Sequence, residues 1–346
     1  MPVARSAGLL AAVALDALLG DPARLHPVAG FGQTAAAVER ATYRPSRGPG
    51  AAYAAVLVAL PTLAAARAAR GSALRRVLVT AVCGWAALGG RSLRQTALRM
   101  ADLIDAGDLP AARTLARSLV ARRTEALDGR ELTRAALESL AENTADAEAG
   151  TLCWGAVAGA PGAVAHRAAN TLDAMVGYRN ARYAEFGWGA ARLDDALGWP
   201  AARACAAATV LAARLCGEDA PGALRAWRRD GASHPSPNAG RVEAAFAGAL
   251  GVTLGGANDY DGHVESRPHL GSGPPPDTAA LRRAVRLSAT TSAVLTIAAA
   301  AVAVVAPSVH ARPRAAARPR WARTTRRDRA RQAHPFSRGR TVRRWR

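Results

Sequence analysis

The strongest constraint on this chain is an alternation: apolar runs poor in aromatic residues separated by short blocks dense in Asp, Asn, His and Arg. The clearest run, 287–306, is twenty residues without a charge, about the length that carries a helix across a ~30 Å hydrocarbon core. Other runs lie at 7–19, 50–66, 77–90, 150–165 and 199–216, each short of the roughly 20 residues of a full span. In lipid every backbone N–H and C=O needs an internal partner, so such runs fold as helices. The fold expected is therefore all-α: a polytopic integral membrane protein with short, partly re-entrant apolar helices and helical cytoplasmic loops. Runs 50–66 and 77–90 read as a helical hairpin joined by the Arg-containing 67–76. Run 150–165 holds Gly155, Gly159, Pro161 and Gly162 and fits a broken segment lining a protein-walled cavity.

Charge narrows the chemistry. All 46 basic residues are Arg, and the formal net charge is +20. Without Lys there is no Walker-type phosphate loop and no lysine Schiff base. Any phosphate must be met by Arg, backbone N–H groups or a metal. From residue 311 onward there are 14 Arg and one Asp, which leaves the rest of the chain only moderately basic. The domains expected are one membrane-embedded unit over 1–306 and a basic, disordered tail over 307–346. No nucleic-acid-binding motif accompanies the tail, so no specific nucleic-acid partner is expected. Asp16 and Gly20-Asp21-Pro22 argue against a cleavable signal peptide in the first apolar run. Cys83, Cys153, Cys205 and Cys216 sit in apolar surroundings without CxxC spacing and read as buried free thiols.

Four polar blocks carry the chemistry. The first, 15–32, is rich in turns, and its Asp16, Asp21 and His26 suit either turn formation or contact with a metal or phosphate. The second ends a helix whose start is marked by Asp128 with Glu131, as Asp108 with Pro110 marks the helix before it. Leu132, Ala136 and Leu140 face inward on that helix, and Glu138, Glu142 and Asp146 follow one another at four-residue steps. Carboxylates stacked so repel by a few tenths of a kcal/mol per pair on a bare helix. They are either solvated or reversed in sign by a cation or an Arg. The third block, 166–195, places His166, Asn170, Asp173 and Gly177 on one helical face beside an apolar segment, where polar groups are costly unless they bind or pair. The fourth, 233–240, is a Ser-, Pro- and Asn-rich loop entering a helix near Arg241. It suits an anion cradle or a plain cap equally.

Together, LDALLGDPARLHPVAGFG at 15–32, ESLAENTADA at 138–147, HRAANTLDAMVGYRNARYAEFGWGAARLDD at 166–195 and HPSPNAG at 234–240 resemble the CobD/CbiB family of cobalamin-biosynthesis membrane proteins, the adenosylcobinamide-phosphate synthases. The resemblance spans roughly residues 8 to 306 and excludes the basic tail. Asp146-Ala147, Gly150-Thr151 and Glu148 depart from the family's Asp-Gly, Ala-Pro and apolar residue, and bear on the backbone of the second block.

The resemblance implies ATP-dependent amide formation between the f-side carboxylate of adenosylcobyric acid and aminopropanol or its phosphate. Mg²⁺ would be held by Glu142, Asp146 and Asp173, with Asp173, Glu142 and His234 in catalytic roles. Asn143, Asn170 and Asn238 would hold substrate amides; Arg179, Arg182, Ser236 and His26 complete the substrate-binding set. The implied partners are the corrinoid, the aminopropanol compound, membrane lipid and other enzymes of the same pathway. The implied location is the cell membrane, multi-pass, with the site on the cytoplasmic side. Asp194 and Asp195 suit pairing with Arg192 and nothing more. If every apolar run crossed the membrane, the blocks would face opposite sides, so one or more of 77–90, 150–165 and 199–216 must be re-entrant or peripheral. A transporter, or a non-catalytic scaffold for pathway enzymes, are the rival readings. Against the transporter, the apolar runs are unequal and show no internal repeat.

Overall fold

The computed structural model describes residues 2–22, 26–120, 123–260 and 263–305. The expectation of a disordered tail over 307–346 lies outside them.

The chain opens with α1 (Pro2–Leu19), α2 (Pro27–Thr42), α3 (Arg47–Ala68), α4 (Ala73–Leu88) and α5 (Gly90–Asp105). Short α6 (Leu109–Ala116) precedes α7 (Gly129–Asn143), which runs through a π-helical segment, Thr144–Ala149, into α8 (Gly150–Ala158). Next come α9 (Ala160–Val176), α10 (Trp188–Cys216), α11 (Ala220–Asp230) and α12 (Ala239–Leu250). An antiparallel hairpin of β1 (Thr253–Tyr260) and β2 (His263–Gly271) leads to α13 (Thr278–Val305). The all-α membrane architecture holds, with five stretches long and apolar enough to cross a bilayer: α1, α3, α4 with α5, α10 and α13. Among the described residues the hairpin is the one departure. It has a bulge at Leu254/Gly256 and is clamped to α7, where Glu138 Oε1 accepts from Gly255 N at 2.9 Å and Arg134 donates to the Gly255 carbonyl.

The helix starts follow the capping chemistry. Asp108 accepts from Ala111 N, and Asp128 and Glu131 form a reciprocal capping box. Leu132, Ala136 and Leu140 are buried as their spacing required. The core is largely alanine, which lets helix axes approach closely: a Cβ on Gly84 would stand 2.7 Å from that of Ala12 where α4 lies along α1. All four cysteines are free; only Cys205 is fully buried, the other three being half-buried.

Helix α13 serves as a ruler for depth. Near its start, Thr278 donates to Asp105 at 2.6 Å, at the end of α5. Further along, Ser288 meets Thr144 at 2.9 Å, and Ser292 accepts from Arg94 at 3.4 Å. Near its end, the Ala303 carbonyl accepts from Arg5 at 3.3 Å. Helix α1 runs the other way beside it, from Arg5 to Asp16, whose Oδ2 accepts from Arg91 N at the start of α5. Arg5 and Ala303 thus mark one depth along these antiparallel helices, and Asp16, Gly89 and Ser292 a second, eleven residues or about 16 Å away at ~1.5 Å per residue.

Run 150–165 is broken and doubles back on itself, as its glycines suggested. α8 descends from Gly150 to the Val157 carbonyl, which Arg5 reaches. The chain then reverses at Gly159, whose φ of +70° is a conformation that favours glycine. α9 climbs back, so the end of α9 returns to the side from which α8 entered. A Cβ on Gly150 would overlap the His166 ring, which fixes the two arms together. Runs 77–90 and 199–216 lie within longer helices.

Candidate functional site

The upper ends of α7 and α9 bring the second and third blocks together. The Asn170 amide donates to Asp146 Oδ2 at 3.1 Å, while its Oδ1 accepts from Arg167 at 3.3 Å. Arg167 in turn faces the carboxylates of Asp146, Asp21 and Asp194, which adds the first block and the start of α10. The fourth block arrives through the hairpin: Arg267 of β2 lies 3.2 Å from His234 Nε2, and its charge acts on Glu142. Residues of all four blocks therefore converge.

Their burial is uneven. Glu142 is exposed yet densely surrounded by protein, as befits a side chain on the wall of an open cleft. Asp146, Arg167, Asn170, Asp173 and Asp194 are each half-buried around it. A separate depression of about 420 Å³, lined by Asp105, Asp128, Arg130 and Thr278 among others, contains none of these residues.

The electrostatics show an excess of negative charge. Burial, and then the neighbouring Asp146, push the Glu142 carboxyl upward. Burial raises Asp146 too, against the Asn170 hydrogen bond and the Arg167 charge that favour its ionised form. Asp173 is pushed up to about 6, mainly by burial and then by Asp195 and Glu142. Oxygen donors with this much uncompensated charge suit a hard divalent cation. Asp194 Oδ1, buried without a hydrogen-bond partner, points the same way. Among the described residues, however, no three His, Cys, Asp or Glu side chains converge as a ready-made metal cage. The expected Glu142–Asp146–Asp173 set is thus a neighbourhood of charges, which fits Mg²⁺ held by one or two carboxylates and completed by phosphate and water.

Other expected site residues are engaged elsewhere. Asn143 turns back to donate to the Ser139 carbonyl at 2.9 Å. Ser236 Oγ accepts from Asn238 N and Ala239 N, so it caps α12, which begins at Ala239, two residues before the expected Arg241. The Asn238 amide donates to the Asp195 carbonyl at 2.9 Å and its Oδ1 accepts from Arg203, tying the loop to α10. Arg182 is ion-paired with buried Glu39 at 2.9 Å and stacks 4.4 Å over the Tyr43 ring. Arg179 is exposed and its charge acts on Asp195. His26 caps α2 through Val28 N and stands 3.3 Å from Asp21.

His234 Nδ1 accepts from Ser236 N at 3.0 Å; burial and the Arg267 cation push the ring down to about 4, so it is neutral at pH 7. Only Asp195 pairs with Arg192, at 3.3 Å; Asp194 belongs to the cleft. Sequence reasoning passed over Arg167 and Arg267. The first stands next to His166 inside a matched block, whereas nothing in the sequence pattern marked the second. Glu148, the extra charge, finds Arg94 at 2.9 Å on the opposite side of its helix from Glu142 and Asp146.

The sequence matches the CobD/Cbib protein family over residues 9–288. It is 50% identical over 291 residues to the cobalamin biosynthesis protein CobD of Mycobacterium tuberculosis, covering 82% of this chain and 91% of that protein. The protein of the same description from Chromobacterium violaceum is 45% identical over 80% of this chain and 89% of its own length. That from Geobacter metallireducens is 41% identical over 86% and 96%. No solved structure matches. A match that takes in all four converging blocks, in a membrane-embedded helical fold, places the conclusion beyond resemblance: the chain belongs to the CobD/CbiB family.

Proposed function

We propose that this protein acts in cobalamin biosynthesis as a membrane-embedded ligase, joining the f-side carboxylate of adenosylcobyric acid to aminopropanol or its phosphate in an ATP-dependent amide synthesis. The observation that carries the reading is the meeting of all four blocks at one cleft that combines acidic residues with Arg167 and Arg267. An amide synthesis of this kind needs both signs of charge: carboxylates for a cation and a proton, guanidinium groups for phosphate and carboxylate oxygens.

In this reading Asp146 and Asp173 would hold Mg²⁺. A bound ion would supply neutralisation of nucleotide phosphate charge and polarisation of the carbonyl or phosphoryl group under attack. Asn170 sets the Asp146 carboxylate and the Arg167 guanidinium against each other, leaving Arg167 to meet a substrate anion. Glu142, accessible from the cleft and with its carboxyl raised by its surroundings, takes a proton from the substrate ammonium at its carboxylate oxygen, freeing the amine to attack. His234 positions Arg267 without itself titrating near neutral pH. The cleft faces the cytoplasm, where ATP is available.

Purified protein in liposomes, given adenosylcobyric acid, aminopropanol phosphate, ATP and Mg²⁺, tests the reading. Amide product detected by mass supports a ligase. Correctly inserted protein that yields none would make the chain a scaffold for other enzymes.

A further inference from the structure

Helix α10 is 29 residues long, about 43 Å at ~1.5 Å per residue, and apolar enough to cross a bilayer. Its contacts describe a different path. At its start, Trp188 lies under the Arg47 guanidinium, 5.5 Å from the ring centre, and a Cβ on Gly189 would stand 2.9 Å from Ala51. Both partners belong to the end of α3 that packs against the top of α9. A few residues on, Asp195 O accepts from Asn238, and the Leu197 carbonyl accepts from Trp154 at 2.8 Å, one turn below the mouth of the α8–α9 hairpin. At its far end, Thr209 meets Thr291 at 3.5 Å, and Cys216 Sγ lies 3.1 Å from Thr290 Oγ1. On α13 those positions lie at the depth of Ser292 or nearer the helix start, towards the Asp16 end of α1. Both ends of α10 thus lie towards the same end of α13.

We propose that α10 is an interfacial helix lying along the cleft-side surface of the bilayer, where it floors the cleft and presents its outer face to lipid headgroups and the adjoining acyl chains. The inner face carries Asp194, Cys205, Thr209 and Ala212 into the protein. The outward stripe is one continuous face, with Ala196, Trp199, Ala207, Leu211 and Leu215 exposed along it. Arg192 and Arg214 are exposed within it, and Arg203 sits 4.2 Å over the Trp199 ring. A Trp flanked by Arg belongs at a headgroup boundary, and exposed Arg214, with Arg192 held by Asp195 and Arg203 by Asn238 along the same face, suits anionic lipid. Three Arg spread along a crossing helix would instead meet the hydrocarbon. The assignment also accounts for the chain's parity: the third and fourth blocks, joined by α10, face the same cleft only if α10 does not cross.

The test uses a variant lacking the four native cysteines, with single cysteines introduced by Ala181→Cys before α10, Arg228→Cys after it and Arg70→Cys in the α3–α4 turn. In sealed vesicles an impermeant maleimide is expected to label 181 and 228 from the same side and 70 from the other. Labelling of 181 and 228 from opposite sides overturns the proposal. Spin labels at 196, 207, 211 and 215, in liposomes of phosphatidylethanolamine and phosphatidylglycerol, give an independent reading. Shallow depth at all four is expected, whereas a label at 207 near the bilayer centre overturns the proposal even where a labelling variant misfolds.

Discussion

Asn170 holds Asp146 and Arg167 apart and in register at once, donating to the carboxylate at 3.1 Å and accepting from the guanidinium at 3.3 Å. A single neutral amide thus sets the charges of two matched blocks that lie on separate helices.

Asn170→Ala removes a hydrogen bond to a charged group, worth about 1.5–3 kcal/mol, so amide synthesis is expected to fall roughly 10- to 100-fold. Asn170→Asp should fall further, because it sets a second carboxylate against Asp146. Initial rates in liposomes check the order, and equal rates in the two variants would contradict it.

The raised Asp173 carboxyl gives a pH dependence of definite sign. Its unfolded-state value is 3.8 and its folded value about 6, so the folded state binds more protons between those limits. Stability therefore falls as pH rises from about 4 to about 6 and stays lower above, by on the order of 1–3 kcal/mol once partial exposure is allowed for. Asp173→Asn should flatten that window in thermal unfolding in detergent. Mg²⁺ should raise the wild-type midpoint at pH 7 and much less at pH 5.

The Arg94–Glu148 pair, at 2.9 Å with both side chains largely buried, is expected to be intolerant of single changes. Arg94→Met leaves Glu148 unpaired and should cost about 3–5 kcal/mol, while the double change to Met and Gln should recover most of it. A double-mutant cycle on thermal stability measures the coupling.

Ser236 accepts from two backbone N–H groups at the start of α12. Ser236→Ala should lower stability by about 0.5–2 kcal/mol and reduce the rate in step, and Ser236→Thr should restore both. A variant with wild-type stability and no activity would instead return the hydroxyl to substrate.

The parts of this structure that were legible in sequence are those decided locally. The capping box at Asp128 and Glu131, the stacked carboxylates and the glycine-broken run at 150–165 all follow from spacing and residue type. What was hidden depends on distant partners. The β-hairpin contains Gly255, Gly256 and Pro268, which obscure strand patterning, and it is held by Arg134 and Glu138 from another helix. Ser236 and Asn238 make capping and loop-tying hydrogen bonds that spacing alone could not separate from an anion cradle, because the chemistry that caps a helix also binds an anion. Depth in the membrane was hidden as well: the length of α10 fits a span, and only its two ends on α3 and α13 reveal the other path.

The central claim is that residues from all four blocks build one amide-forming site. The most direct measurement is the initial rate of amide synthesis, in liposomes of matched protein content, for Asp21→Asn, Asp146→Asn, Asp173→Asn and His234→Gln. The account predicts that each correctly inserted variant loses at least about tenfold, on the order of 1.4 kcal/mol or more of transition-state stabilisation. A variant from any one block that retains the full wild-type rate would remove that block from the site and contradict the account.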